Sequence, residues 1–309
     1  MLSDLRAQFG KRLPVQAADA ASGMAASGTA APAGRGQRRR SLLALAGIST
    51  AGLAYAGWRQ PALALSATRE IADMTWIEVR DAIAAGFRTV IVPSGGLEQN
   101  GPHMIIGKHD RIVAWAARRI AAELGNALVA PVVSYVPEGD YDPPTGNMML
   151  PGTIGVPPAV YAAVLEGIAR SLRSAGFSMI CFIADHGQSI APQAETAARL
   201  TREWGGKGPK VLAVDAYYAD AAETAYLRAQ GETDVAIGQH ATISDTSELM
   251  AIHPGGVDLS RLPPSPAPLA GLGAFGDPRR ASIARGDAMM ALKVDAAVAQ
   301  IRAASRAAG

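Results

Sequence analysis

Strand-length apolar runs alternating with amphipathic helical segments predict an α/β fold on a mostly parallel central sheet, with helices over both faces. Three observations carry this expectation. β-Branched or apolar runs of strand length recur at residues 89–93, 127–136, 178–184 and 211–215. Successive runs are separated by ten or more residues with helical apolar spacing, the length a crossover between parallel strands requires. Several of the helical segments stop at a glycine, the residue that most readily takes the left-handed turn ending a helix.

The elements follow in order. Thr75-Trp76-Ile77-Glu78 reads as a capping box and opens a helix running to about Gly86. Residues 89–93 form a buried strand and lead into a glycine-rich loop. A helix over 110–124 carries Ile112, Val113, Ala116 and Ile120 on one face and stops at Gly125. Residues 127–136 read as a second strand, 137–157 as a loop rich in proline, glycine and aspartate, and 159–175 as a helix ended by Gly176. A strand over 178–184, a helix over 191–204 and a strand over 211–215 come next. Helices over 219–230 and 287–307 complete the pattern.

Composition narrows the classes of function. With 309 residues, 49% of them hydrophobic, the chain can bury one large core or two small ones. A charged fraction of 18% and a slightly positive mean hydropathy exclude a disordered chain. Aromatic residues make up only 5%, too few for a stacking platform for single-stranded nucleic acid. The single cysteine, Cys181, excludes an internal disulfide framework and any multi-cysteine metal cluster, and its apolar strand marks it as a small buried hydrophobe.

The net charge of +2 is unevenly spread. Residues 1–67 hold eight of the 29 Lys and Arg but only two of the 27 acids, Asp4 and Asp19, which leaves 21 basic and 25 acidic residues beyond. A mildly acidic body is poorly suited to nucleic acid, so no such partner is expected. Residues 1–34 read as an unstructured Ala/Gly/Ser arm. Arg38-Arg39-Arg40-Ser41-Leu42-Leu43 then precedes an uncharged, glycine-containing run over 44–57, followed by the cleavage candidates Ala62-Leu63-Ala64 and Leu65-Ser66-Ala67. That order is the order of a bacterial export signal and resembles a twin-arginine signal, which predicts a periplasmic protein. The run falls short of the roughly 20 apolar residues that span a bilayer, so no stable membrane insertion is expected after cleavage. The expected organisation is an arm plus signal over 1–67 and a folded domain over 68–309.

In open parallel sheets ligands sit at the carboxyl ends of strands, and the polar residues of this chain concentrate there. Glu98-Gln99-Asn100-Gly101-Pro102-His103 follows the first strand, Gly107-Lys108-His109-Asp110 leads into a helix, and Asp185-His186-Gly187-Gln188 follows the strand ending at Ala184. A carboxylate with two imidazoles is a catalytic zinc or manganese set that leaves positions open for water. His253, beside Pro254 on a helical stretch, reads as an ordinary capping or core histidine.

Gly95-Gly96-Leu97-Glu98-Gln99-Asn100-Gly101-Pro102-His103 resembles the motif Gly-Ser-x-Glu-Gln-His-Gly-Pro-His-Leu of the creatininase (creatinine amidohydrolase) family. Pro151-Gly152-Thr153-Ile154 is similar to that family's Pro-Gly-Thr-Ile/Val, and Ile183-Ala184-Asp185-His186-Gly187 to its Asn-Gly-His-Gly loop. His240-Ala241 with Asp245-Thr246-Ser247 resembles its His-Ala-Gly…Glu-Thr-Ser element, and Thr75-Trp76 is similar too. The resemblance covers roughly residues 70–255. It implies a three-layer α/β/α sandwich, hydrolysis of amide C–N bonds by metal-activated water, a small-molecule amide substrate and a homo-oligomer.

Carried over position by position, Glu98 matches the family's first metal-binding carboxylate and His186 its loop histidine. The next histidine ligand falls on Asn100, and the loop's second carboxylate falls on Gln188. The bridging aspartate falls on His109 by strict spacing, or on Asp110 with one residue inserted. The resemblance therefore implies one zinc or manganese ion on Glu98, His109 or Asp110, and His186, with a second site absent or rebuilt. It also implies His240 as the acid that protonates the leaving nitrogen, Asp245 as the residue orienting it or the ligands, and His103 beside the substrate or behind the ligands. Glu98, His240 and Asp245 are the expected catalytic set. Glu138 and Asp140 are expected at the substrate mouth. Two other readings stand beside this one: a non-catalytic binder of a small amide or amino acid, and a hydrolase of peptides or formamides.

Overall fold

Four parallel strands form the sheet: β1 Thr89–Ser94, β2 Ala127–Val129, β3 Met179–Ala184 and β4 Lys210–Ala213, in the order β2-β1-β3-β4. The computed structural model describes residues 68–218, 220–265 and 269–306, all within the unit Gln60–Gly309. The arginine stretch, the apolar run after it and both cleavage candidates lie outside the described residues. The main helices are α1 Trp76–Ala84, α2 Lys108–Leu124, α3 Pro158–Ala175, α4 Ile190–Trp204, α5 Asp220–Ala229, α6 Ile243–Ile252 and α7 Ile283–Arg306. Among the described residues no helix is long and apolar enough to cross a membrane.

Every residue of β1 and β3 is buried, and the side chains divide by parity between two cores. Ile91, Met179, Cys181 and Ile183 pack with α2 and α7. Val90, Val92, Ile180 and Phe182 pack on the other face with α1, α3 and α4. A sheet covered on both faces needs unbroken apolar runs, and this is why these strands show no polar alternation. The result is the three-layer α/β/α sandwich expected. Thr75 caps α1 as its sequence predicts: its amide donates to Glu78 Oε2 at 2.7 Å, and its Oγ1 accepts from the Glu78 amide at 3.3 Å. Gly125 and Gly176 end α2 and α3 in the left-handed conformation, at φ 83° and 101°.

The structure departs from the expected elements most clearly in five places. β2 stops at Val129 rather than 136, because Pro131 has no amide hydrogen to continue the ladder. The chain nevertheless stays beside β1: Val133 N donates to Pro93 O at 2.9 Å and Gly95 N to Val133 O at 3.0 Å. β4 ends at Ala213, short of 215. α2 starts two residues early, at Lys108, and α7 four early, at Ile283. α6 was anticipated only as a helical stretch reaching His253, with no start assigned, since Ile-Ser-Asp-Thr-Ser-Glu lacks helical apolar spacing.

Strand order positions the site. The chain runs from β1 outward to β2, then returns past β1 to β3 and on to β4, so its direction reverses between β1 and β3. The crevice above such a reversal is where open α/β sheets bind ligands. Ser94 and Ala184 pair at the ends of those two strands, so the loops beginning at Gly95 and Asp185 leave side by side.

Candidate metal centre

The loop after β1 is folded tightly enough to bring Glu98 back over the strand ends. Gly96 N donates to Asp110 Oδ1 at 3.1 Å, and a Cβ on Gly95 would lie 1.9 Å from that same oxygen. The first turn of α2 therefore packs on bare backbone, which only glycine permits. Asn100 Nδ2 donates to the carbonyls of Glu98 at 2.8 Å and Ile105 at 3.2 Å, closing the turn that presents Glu98. Asn100 thus holds backbone at the position where the family motif has a histidine.

Three side chains converge above the sheet. Glu98 from the β1 loop, His186 from the β3 loop and Glu138, just past the segment that continues β2, offer ligand atoms all within 4.8 Å of one another. All three are buried. His186 Nε2 lies 3.2 Å from Glu98 Oε2 and 3.2 Å from Glu138 Oε2. Asn147 Nδ2 donates to the same two oxygens. Burial works against a charged imidazole, but hydrogen bonds to Glu138 and Glu98 outweigh it and hold His186 up at about 9.

These residues fit a divalent cation. Two buried carboxylates share one imidazole, and Glu138 Oε1 and His186 Nδ1 have no hydrogen-bond partner among the described residues. Carboxylate oxygens so placed are short of positive charge. Two oxygens and one imidazole nitrogen suit zinc or manganese with positions left open.

The other oxygen of Glu98 faces a different set. His109 Nε2 donates to Glu98 Oε1 at 2.6 Å, and its Nδ1 donates to Asp185 Oδ2 at 2.7 Å. Burial and the neighbouring Lys108 oppose a charge on His109, but Glu98 and Asp185 raise the imidazole above its ordinary value. Lys108 Nζ donates to Asp245 Oδ1 at 2.7 Å and lies 3.3 Å from Glu98 Oε1. Burial alone would raise the Glu98 carboxyl, yet His109 and Lys108 hold it well below the usual carboxylate range. In the same way Lys108 overcomes burial and holds Asp245 at about 2.

Behind His109 a buried ionic chain continues to α7. Asp185 Oδ1 accepts from Lys293 Nζ at 2.8 Å and from the Tyr217 hydroxyl at 2.9 Å, and Lys293 also reaches Glu248 Oε2 at 3.1 Å. Burial opposes the Lys293 charge, but Asp185, Glu248 and Glu223 raise it well above the ordinary lysine value.

The remaining candidates are distributed as follows. Asp110 binds the Gly96 amide, while His109, its neighbour, occupies the interior between Glu98 and Asp185. His240 Nδ1 lies 3.5 Å from Glu98 Oε1, and its Nε2 donates to the Gln99 carbonyl at 2.8 Å. Burial, then Lys108, lowers His240 below its ordinary value. The following Ala241 sits in the left-handed region at φ 53°, at a cost of about 1 kcal/mol or more for a residue with a Cβ. His103 lies outside the cluster, with Nε2 2.9 Å from Thr246 Oγ1, and burial lowers it to about 4. Asp140 and Gln188 are exposed, and His253 follows the last residue of α6.

Glu138, expected at the mouth, is thus a member of the cluster, and Lys108, Asn147 and Lys293 had no assigned role. Lys108 left a signal: a lysine in the first turn of a helix opposes the helix dipole unless something anionic holds it. Glu138 left another, because it follows a run alongside the central strand, and Gly155 has no Cβ where one would lie 2.7 Å from Glu138 Cβ.

Comparison with known proteins agrees with this architecture. The family model described as creatinine amidohydrolase matches residues 72–301. A creatinine amidohydrolase of Pseudomonas putida is 28% identical over 206 residues, covering 64% of this chain and 78% of that protein. A mycofactocin precursor peptide peptidase of Mycolicibacterium smegmatis (strain ATCC 700084 / mc(2)155) is 29% identical over 225 residues, covering 69% and 84%. Among solved structures, a manganese form of creatininase superposes with a TM-score of 0.62 at 24% identity, over 76% of this chain and 98% of that one. A Zn-Zn type creatininase variant gives 0.61 at 25%, over 77% and 98%. With its sheet order, its strand-end loops and a family match across most of its length, the chain belongs to the creatininase family of amidohydrolases.

Proposed function

We propose that this chain hydrolyses the C–N bond of a small cyclic or linear amide with one divalent cation, zinc or manganese, held by Glu98, Glu138 and His186. The observation that carries the reading is the convergence of two buried carboxylates and an imidazole at the point where the sheet reverses direction. A cation bound there supplies Lewis acidity toward the amide carbonyl and makes water more acidic. His186 gives up its Nε2 proton on binding it, so binding strengthens with pH.

The chain's own residues supply the rest. His240 is the proton carrier and the most accessible histidine at this centre, its side chain 17% exposed. Its Nε2–H is committed to the Gln99 carbonyl, so Nδ1 carries the free lone pair on the Glu98 side. Nδ1 takes a proton from the attacking water and returns it to the departing nitrogen, so that hydroxyl ends on the carbonyl carbon and hydrogen on nitrogen. Asp245 acts at one remove, by fixing Lys108 against Glu98. His109, held at both nitrogens, keeps Glu98 ionised and oriented.

A peptide bond is the second reading for the amide, favoured by the peptide peptidase among the relatives and by exposed Met149 and Ile154 on the loop that carries Asn147. Elemental analysis of the purified chain, with Glu98→Gln and His186→Ala beside it, tests the proposal. The native chain is expected to retain zinc or manganese and both variants to lose it along with hydrolysis of creatinine-like lactams or short peptides. Full metal content in both variants overturns the site.

A further inference from the structure

We propose that Lys108 is a built-in second cation: its ammonium fills the place beside Glu98 Oε1 that a second divalent ion would need, and so fixes the centre as mononuclear. The inference rests on the metal site proposed above and goes beyond it, since it concerns the opposite oxygen of the same carboxylate.

Lys108 is fully buried, with a side-chain exposure of 0%. It stands in the first turn of α2, where the helix dipole repels positive charge and where solvent is normally the easiest place for a lysine. Here the side chain turns inward to two carboxylates, with Nζ 2.7 Å from Asp245 Oδ1 and 3.3 Å from Glu98 Oε1. The same Glu98 Oε1 is 2.6 Å from His109 Nε2 and 3.5 Å from His240 Nδ1. Glu98 Oε1 is thus a point approached by imidazole nitrogens, and Asp245 stands on the far side of the ammonium; these are donor types that a divalent ion takes. In this chain that point holds an ammonium group, and a divalent ion would have to approach the same oxygens to about 2.0–2.2 Å. The two cations exclude each other by volume and by charge.

Metal stoichiometry and electron paramagnetic resonance of the manganese-loaded protein test this without reference to turnover. The native chain is expected to bind one ion, with the spectrum of an isolated Mn²⁺. Lys108→Ala and Lys108→Gln are expected to bind two, with an exchange-coupled pair signal. Two ions in the native chain with Lys108 intact overturn the inference, as does a folded Lys108→Ala protein that still saturates at one. Should both variants fail to fold, the native spectrum decides, since a coupled signal there is incompatible with an ammonium in that place. A native chain that binds no ion overturns the metal site itself and this inference with it, which separates that failure from the others.

Discussion

The two oxygens of the Glu98 carboxylate face opposite charge balances. Oε2 meets a second buried carboxylate, Glu138, with one imidazole and one amide between them. Oε1 meets an ammonium and an imidazole that donates to it, and behind that imidazole Asp185 pairs with Lys293 of the last helix, whose ammonium also reaches Glu248. A buried charge is tolerated only where it is paired. One side of Glu98 is therefore complete within the protein, and the other is arranged to take a positive charge from outside. Stability should reside on the first side and metal affinity on the second.

That division can be broken at either end. Lys293→Met carries the largest expected effect: it strands Asp185 and Glu248 without their cation, for a loss of about 3–5 kcal/mol. Urea denaturation of the metal-free protein measures it, and a loss below about 1 kcal/mol would dissolve the contrast. Glu138→Gln should do the reverse. Metal affinity is expected to fall by roughly a hundredfold or more, beyond the usual effect of losing a group that only supports a ligand. Above about pH 9, where His186 is neutral, unfolding of the metal-free chain should stay unchanged or become harder, because a buried negative charge is gone. Calorimetric titration with Mn²⁺ and the same denaturation series give both readings, and a destabilisation matching Lys293→Met would place Glu138 on the wrong side.

The smallest effect concerns His103, which lies outside both sets. Burial lowers it from 6.5 to about 4, so as pH falls the unfolded chain takes up its proton first. Its contribution is fully present above about pH 6.5 and is lost between there and about pH 4. His103→Asn should flatten that stretch of the stability curve while leaving metal stoichiometry at the native value. An unaltered slope would remove His103 from the acid response.

Period and punctuation made the layers legible. The unbroken apolar runs of β1 and β3 can only be strands covered on both faces, and Gly125 and Gly176 mark the helix ends without reference to anything distant. Glu98 and His186 were legible because strand order forces the loops after β1 and β3 to leave together. Glu138 was harder, since its place depends on a stretch that keeps company with β1 through a single bridge past Pro131 rather than through a regular ladder. Lys293 was not legible: it stands mid-helix in α7 at an unremarkable position, and only the packing of α7 against α6 carries it to Asp185. Residues joined by local geometry can be read from the chain, whereas ion pairs across 108 positions cannot.

The position of Lys293 also sets an order of assembly. During synthesis Glu98, His109 and Asp185 emerge from the ribosome well before Lys293, so a nascent chain carries Asp185 with its histidine but without its lysine. The ionic network behind Glu98 is therefore completed last, after both layers around the sheet have been translated, and a chain stalled ahead of α7 would present a sandwich whose heart is electrically unfinished.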